Sequence, residues 1–388
     1  LENSMALSES IKETARQENR EYVSKPLSSN RLVYVDMLKL LAIIGVITIH
    51  ICAVPLTTLK IASSNWEFAL LFGAAVRWAV PVFLMCSGAL FLKTDKVIAA
   101  KRIFTKYLSR ILCALFVWAS FYEGLDIYRA FRSMGYFDYT LIYKAIEHIF
   151  TFNTQTHLYY LYIVILIYSL LPALRVFTDN ASKRQMEYLL IAWVILGIVL
   201  PFAVQFRPFS LIRGMVRQYP MSMVYSAIGY FMAGHYLNKY PLKKRTNYIF
   251  YFLGITGLLV TICGTELSSI SRNAVYTSFL EGMTPNVAAM AAALFLLIKN
   301  HFERINRQKQ EEAASGRLRR IIVYISKGSF CIYLVHVAFI DLLKDLSLTF
   351  PDANTLITIP VLVTTVFMLS LGVYFILSRI PGINKYLI

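Results

Sequence analysis

Ten apolar runs of roughly twenty residues follow one another along this chain, at 33–54, 71–92, 107–128, 158–177, 188–206, 221–237, 248–263, 279–298, 321–343 and 356–377. Nothing else in the sequence restricts the fold as strongly. A helix rises 1.5 Å per residue, so about twenty apolar residues match the ~30 Å hydrocarbon layer of a bilayer. Backbone groups in lipid have no water to bond, and helices satisfy them within the segment. The expected fold is all-α: a polytopic membrane bundle of about ten transmembrane helices. With 57% hydrophobic and 16% charged residues, the chain leaves no room for a soluble catalytic domain. Residues 141–150 alternate polar and apolar positions at helical spacing and are too short to span, which predicts an interfacial helix.

Basic residues orient the bundle. Of the 39 Lys and Arg, 27 fall in the two tails and in the loops around 93–110, 175–184, 239–245 and 299–320. Ten lie on the alternate side, and Lys39 and Lys327 fall inside spans. The positive-inside rule then puts both termini in the cytoplasm, in keeping with an even number of spans. The net charge of +17 is dispersed among these loops, so nucleic acid is not the expected partner; the anionic inner leaflet is the general one and an anionic cofactor the sharper one. Residues 1–30 are polar and predict a disordered cytoplasmic tail, with the membrane domain at 31–388. No cleavable signal peptide precedes the first span, and the position of Met5 makes the four residues before it a candidate expression scar. The five cysteines, Cys52, Cys86, Cys113, Cys263 and Cys331, all lie within spans without metal-type spacing. They are expected to pack as small apolar residues, with no metal site.

The chemistry should lie where polar side chains enter lipid, because such residues face protein or water and mark functional paths. In the first span Asp36, Lys39 and His50 share one helical face. Lys39 and His50 are eleven residues apart, hence within about 20° of each other and about 16 Å apart along the axis. Entry from the cytoplasm sets Lys39 near the inner surface and His50 in the outer half. His157, opening the fourth span, and His336, within the ninth, occupy comparable depths, whereas His148, His235 and His301 read as interfacial or loop residues. At the start of the third span Arg102, Lys106 and Arg110 follow i, i+4, i+8 spacing and predict a cationic stripe. Such a stripe can anchor a helix to lipid headgroups or bind the phosphates of a nucleotide-like ligand. Trp66, Trp78, Tyr136, Tyr139, Tyr159, Tyr219 and Tyr276 lie near the outer ends, where they suit either an aromatic belt or sugar stacking.

From about Tyr34 to Leu387 the chain resembles the acyltransferase-3 family of bacterial integral-membrane acyltransferases, in particular its surface-glycan O-acetyltransferases. The family's first-helix pattern of an arginine, ten residues and a histidine reads here as Lys39, ten residues and His50, preceded by Asp36. Lysine keeps the charge but lacks the bidentate fork. "RWAVPVFLMCSGALFL" resembles the second span, with Arg77, Pro81, Ser87 and Gly88 in place. "HLYYLYIVILIYSLLPAL" resembles the fourth, with Tyr159 replacing a tryptophan, and "KYLSRILCALFVW", "YSAIGYFMAGHYL" and "SFCIYLVH" resemble the third, sixth and ninth.

The resemblance implies a bacterial inner-membrane enzyme that moves an acetyl or short acyl group from cytoplasmic acyl-CoA to a hydroxyl of a surface glycan or its precursor. It also implies roles. Lys39, oriented by Asp36, together with Arg102, Lys106 and Arg110, would hold acyl-CoA. His50 would act as general base or acyl carrier, with His157 or His336 holding the acceptor or the oxyanion. Arg77 and Tyr159 would stand on the acceptor side. Membrane lipid is a further partner, and a homodimer is left open. The alternative is a transporter or a flippase for a lipid-linked sugar, since intramembrane His and Lys also line transport paths; no convincing inverted repeat supports it.

Overall fold

The computed structural model describes residues 31–92, 99–218, 223–308, 316–348 and 354–388; the expected disordered tail at 1–30 lies outside them. Among the described residues all regular structure is helical. The principal helices are α1 (Val33–Thr58), α2 (Ser64–Ala75), α3 (Ala79–Phe91), α4 (Ser109–Met134), α5 (Thr140–Phe150), α6 (Tyr159–Asn180), α7 (Lys183–Trp193), α8 (Met223–Lys239), α9 (Lys244–Arg272), α10 (Pro285–Gln308), α11 (Gly316–Asp345), α12 (Thr355–Leu377) and α13 (Pro381–Tyr386).

Nine helical stretches among the described residues are long and apolar enough to cross a membrane. The remaining expected span, the sixth, is α8, whose described part has 17 residues. The chain is thus a multi-pass helical membrane protein. The amphipathic stretch at 141–150 forms the short helix α5.

Three spans differ from their hydropathy limits for physical reasons. The second apolar run is two helices, because a turn at Val76–Trp78 separates α2 from α3. The third continues past Glu123 and Asp126 to Met134. Their charges are met by partners: His148 Nδ1 lies 3.2 Å from Glu123 Oε1, and Asp126 pairs with Arg129 and Gln155. The seventh extends to Arg272 because Thr261, Thr265 and Ser269 recur every four residues and are buried, so polar side chains face protein there rather than lipid.

Helix α1 is the hub, packed on α2, α3, α10, α11 and α12. Helices α3 and α8 approach closely because glycine meets backbone in both directions. A Cβ on Gly88 would sit 1.7 Å from the Phe231 carbonyl oxygen, and one on Gly234 would sit 2.0 Å from that of Met85. Small residues permit such close packing where no hydrophobic force drives helices together.

The two ends of the bundle are cross-linked separately. At one end Tyr34 donates to Asn238 (2.5 Å) and Lys299 donates to the Leu237 carbonyl (2.5 Å). Arg110 donates to the carbonyl of Ile388 at the same end, so the chain enters and leaves the bundle on one side. At the other end Trp66 Nε1 donates to the Leu56 carbonyl (3.0 Å), and Thr355 donates to the Asn65 carbonyl (2.7 Å). Trp66 is fully buried and therefore not available for sugar stacking. Cys52, Cys86 and Cys331 are buried as expected of packing residues, but Cys113 and Cys263 are exposed on the outside of the bundle.

Candidate active site

The entry end of α1 is organised around Asp36. Arg31, just before the helix, grips the carboxylate with both arms, Nε to Oδ2 at 2.7 Å and Nη2 to Oδ1 at 2.8 Å. Ser326 Oγ of α11 adds a hydrogen bond to Oδ1 at 2.6 Å. Asp36 therefore ties the chain's entry to α11. Among the described residues Lys39 has no hydrogen-bond or ion-pair partner. Its side chain lines a cavity of about 270 Å³ together with Arg110, Ser87, Ser329, Tyr160 and Tyr333. The participation of Arg31 was missed, although a cation five residues before a membrane carboxylate is a readable signal.

Arg110 reaches this cavity because it points inward. It is half-buried, bonded to the Ile388 carbonyl and 5.8 Å from the centroid of Phe330. Arg102 and Lys106 remain exposed, outside the cavity lining. The expected single stripe is split because Ile103–Leu108 forms a π-helical turn. A π-turn bonds i to i+5, so residues four apart no longer stack on one face. Lys39 and Arg110 are thus the cationic pair at the cavity.

Farther along the bundle three histidines from separate elements meet. His50 stands on α1, His157 on the short 3₁₀ turn that opens α6, and His336 on α11. Ring centroids are 5.1 Å apart for His50 and His336, 5.4 Å for His157 and His336, and 6.3 Å for His50 and His157. His157 and His336 are buried and His50 is half-buried. His336 Nδ1 lies 2.6 Å from the Tyr333 carbonyl oxygen. A carbonyl only accepts, so Nδ1 carries the proton and Nε2 keeps its lone pair. That Nε2 is buried without a partner among the described residues, as is Nε2 of His157. Unpaired buried nitrogens are costly, and two of them facing one cluster call for a functional explanation.

Two tyrosines absent from the sequence reading hold the cluster in place. Tyr333 donates to the His157 carbonyl and also lines the inner cavity, joining the two regions. Tyr122 donates to the Leu334 carbonyl (2.7 Å) and packs its ring 5.0 Å from His157. Tyr333 precedes His336 by three residues and so shares its helical face, a signal available in "SFCIYLVH". Tyr122 carried none.

The turn between α2 and α3 presents Arg77, whose buried Nε lacks a partner among the described residues. Arg77 and Tyr159 line one pocket of about 670 Å³ with Gln205, Thr277, Glu281 and Thr284. The charge of Arg77 also reaches His50. Tyr276 donates to Gln205 Oε1 (3.1 Å) beside this pocket, while Tyr136 and Tyr139 are exposed away from it. Tyr219 lies outside the described residues.

The other histidines divide. His148 pairs with Glu123 and His301 is exposed. His235 is buried within α8, with neither ring nitrogen bonded among the described residues.

Comparison with known proteins adds one finding. The family model described as Acyltransferase domain matches residues 32–379, nearly the whole chain. No curated protein and no solved structure matches.

Proposed function

We propose, from the premise that this chain belongs to the Acyltransferase domain family and is a membrane acyltransferase, that it moves an acetyl or short acyl group from acyl-CoA to a hydroxyl of a surface glycan or glycan precursor. The enzyme would reside in a bacterial inner membrane with both termini cytoplasmic, taking its donor from inside and presenting the acyl group outward. The match favours this over transport.

One observation carries the reading: two unlike compartments reach the histidine cluster, one through Tyr333, which donates to the His157 carbonyl, and one through Tyr159, two residues after His157. On the side of the chain's ends lies the cavity with Lys39 and Arg110, cations suited to an anionic donor. On the other lies the polar pocket with Arg77, Tyr159 and Glu281, suited to a polyhydroxylated acceptor. A thioester arm passing Lys39 toward Tyr333 would bring its carbonyl to the histidines. The exposed Arg102 and Lys106 would meet the CoA phosphates at the surface before the arm enters.

The chemistry then follows. The acceptor hydroxyl oxygen attacks the thioester carbonyl carbon while its proton passes to an imidazole. The C–S bond breaks, CoA leaves as the thiol by taking that proton back, and an ester remains on the acceptor. His50, the half-exposed member, is the base in this scheme. His336, with its Nδ1 proton committed to the Tyr333 carbonyl, offers only an acceptor at Nε2; it can receive a hydrogen bond that orients His50 or the hydroxyl, but in this tautomer it cannot donate to an oxyanion. That stabilisation falls to Arg77.

The test is acetyl transfer by purified protein in a bilayer mimic, followed by release of free CoA thiol with glycan acceptors. In parallel, surface glycans from cells with and without the protein are searched for a lost O-acyl group. No CoA release with any acceptor and unchanged glycans would refute the reading.

A further inference from the structure

A third compartment touches the cluster, and neither donor arm nor acceptor accounts for it. Beyond His50 an apolar pocket of about 140 Å³ continues between α1, α11 and α12. Val54, Ile340, Leu343, Ile359 and Leu362 form its walls, and Lys344 stands at its mouth.

It shares two helices with the inner cavity. That cavity contacts α1 through Lys39 and Val46 and α11 through Ser329 and Tyr333. The apolar pocket takes up the same two helices farther on, one turn on at His50 in α1 and about two turns on at Ile340 in α11. Residues at 46, 50 and 54 drift only about 40° per step around a helix, so the two spaces lie end to end with the histidines between them. A linear thioester whose CoA arm fills the first space, and whose carbonyl stands at His50, has its acyl tail directed into the second.

Resting on the acyl-CoA reading above, we infer that the apolar pocket beyond His50 is the acyl-tail site and sets the chain-length preference of the donor. Its walls are mainly aliphatic, which suits methylenes, and the hydroxyls of its three threonines, Thr58, Thr355 and Thr358, already donate to backbone carbonyls. An apolar cavity of about 150 Å³ holds a benzene molecule, so the enclosed part accommodates roughly six carbons. Val54 is 48% exposed, so the far side opens laterally and longer tails run out into lipid instead of meeting a wall. The site therefore rewards added methylenes up to about six carbons and is indifferent beyond.

The experiment measures kcat/KM for CoA thiol release with acetyl-, butyryl-, hexanoyl- and octanoyl-CoA, in nanodiscs, at fixed acceptor. Burying a methylene is worth about 0.8 kcal/mol, so each is expected to raise kcat/KM about two- to fourfold to hexanoyl, with little change to octanoyl. Leu362→Trp fills the pocket and should lower the hexanoyl-to-acetyl ratio at least tenfold. Leu362→Ala enlarges it and should shift the plateau to octanoyl, so a variant that fails to fold leaves the other to decide. Ratios equal to wild type in either folded variant would overturn the assignment and leave the pocket to bilayer lipid. Absence of turnover and binding for every thioester in the wild type would instead overturn the donor reading, and this site with it.

Discussion

The imidazole rings of His50 and His336 lie 5.1 Å apart, centroid to centroid, although they come from the first and the ninth apolar runs of the sequence. Helix α1 packs along α11, and Ser326 and Asp36 pin that pairing at the inner end, fixing how deep each ring sits. Asp36 and His50 are fourteen residues apart on α1, and Ser326 and His336 ten apart on α11, so one anchor sets the height of both. The predictions below separate this scaffold from the chemistry it supports.

Replacing His50 with alanine should lower acyl transfer by about 10²–10⁴-fold, the usual contribution of a general base. Acyl-CoA affinity should be nearly unchanged, because His50 lies beyond the cavity that holds Lys39. Transfer assays and a CoA-binding isotherm on one preparation, with a thermal melt for folding, check this. A folded variant with near-normal transfer would move the base to another residue.

Lys39→Ala should chiefly weaken acyl-CoA binding, since its charge faces the cavity with no competing partner among the described residues. Lys39→Arg should retain much of the affinity, because the charge is kept and a fork is gained. Equilibrium binding of a non-hydrolysable acyl-CoA analogue measures both. Equal loss in the two variants would show that shape, not charge, matters there.

Salt should separate the three basic residues Arg102, Lys106 and Arg110. Arg102 and Lys106 are exposed, so their alanine variants should lose affinity mainly at low ionic strength, where screening is weak. Arg110 is half-buried at the cavity, and Arg110→Ala should weaken binding at 0.5 M salt as well. Binding isotherms at two salt concentrations suffice. An identical salt profile for Arg102→Ala and Arg110→Ala would contradict the split stripe.

Asp36→Ala should destabilise the protein by about 1–3 kcal/mol, because it strands Ser326 and frees Arg31 at a buried joint. Donor affinity should fall much less than in Lys39→Ala. Melting in detergent and a binding isotherm report on the two effects. A variant of normal stability with donor binding abolished would return Asp36 to the role of orienting Lys39.

Orientation is tested with single cysteines on a cysteine-free background. A cysteine at Arg304 should be labelled only after permeabilisation, and one at Ser133 from outside intact cells. Reversal of the two patterns would invert the bundle and the direction assigned to the donor.

Much of this was legible in the sequence. The apolar runs dictate the helices, because the length of a lipid-crossing segment is set by bilayer thickness and its backbone must bond to itself. Helical periodicity alone puts Asp36, Lys39 and His50 on one face. Partner choice was not legible. Asp36 goes to Arg31 and Ser326, a π-turn separates Arg110 from Arg102 and Lys106, and His235 is drawn into the interior. Every apolar helix face is equally at home in lipid, so hydropathy does not say which helices abut. Close approach at residues such as Gly88 and Gly234, and the pairing of the few polar side chains, decide it, and these depend on positions far apart in the chain. The meeting of His50, His157 and His336 is therefore a property of the packed bundle alone.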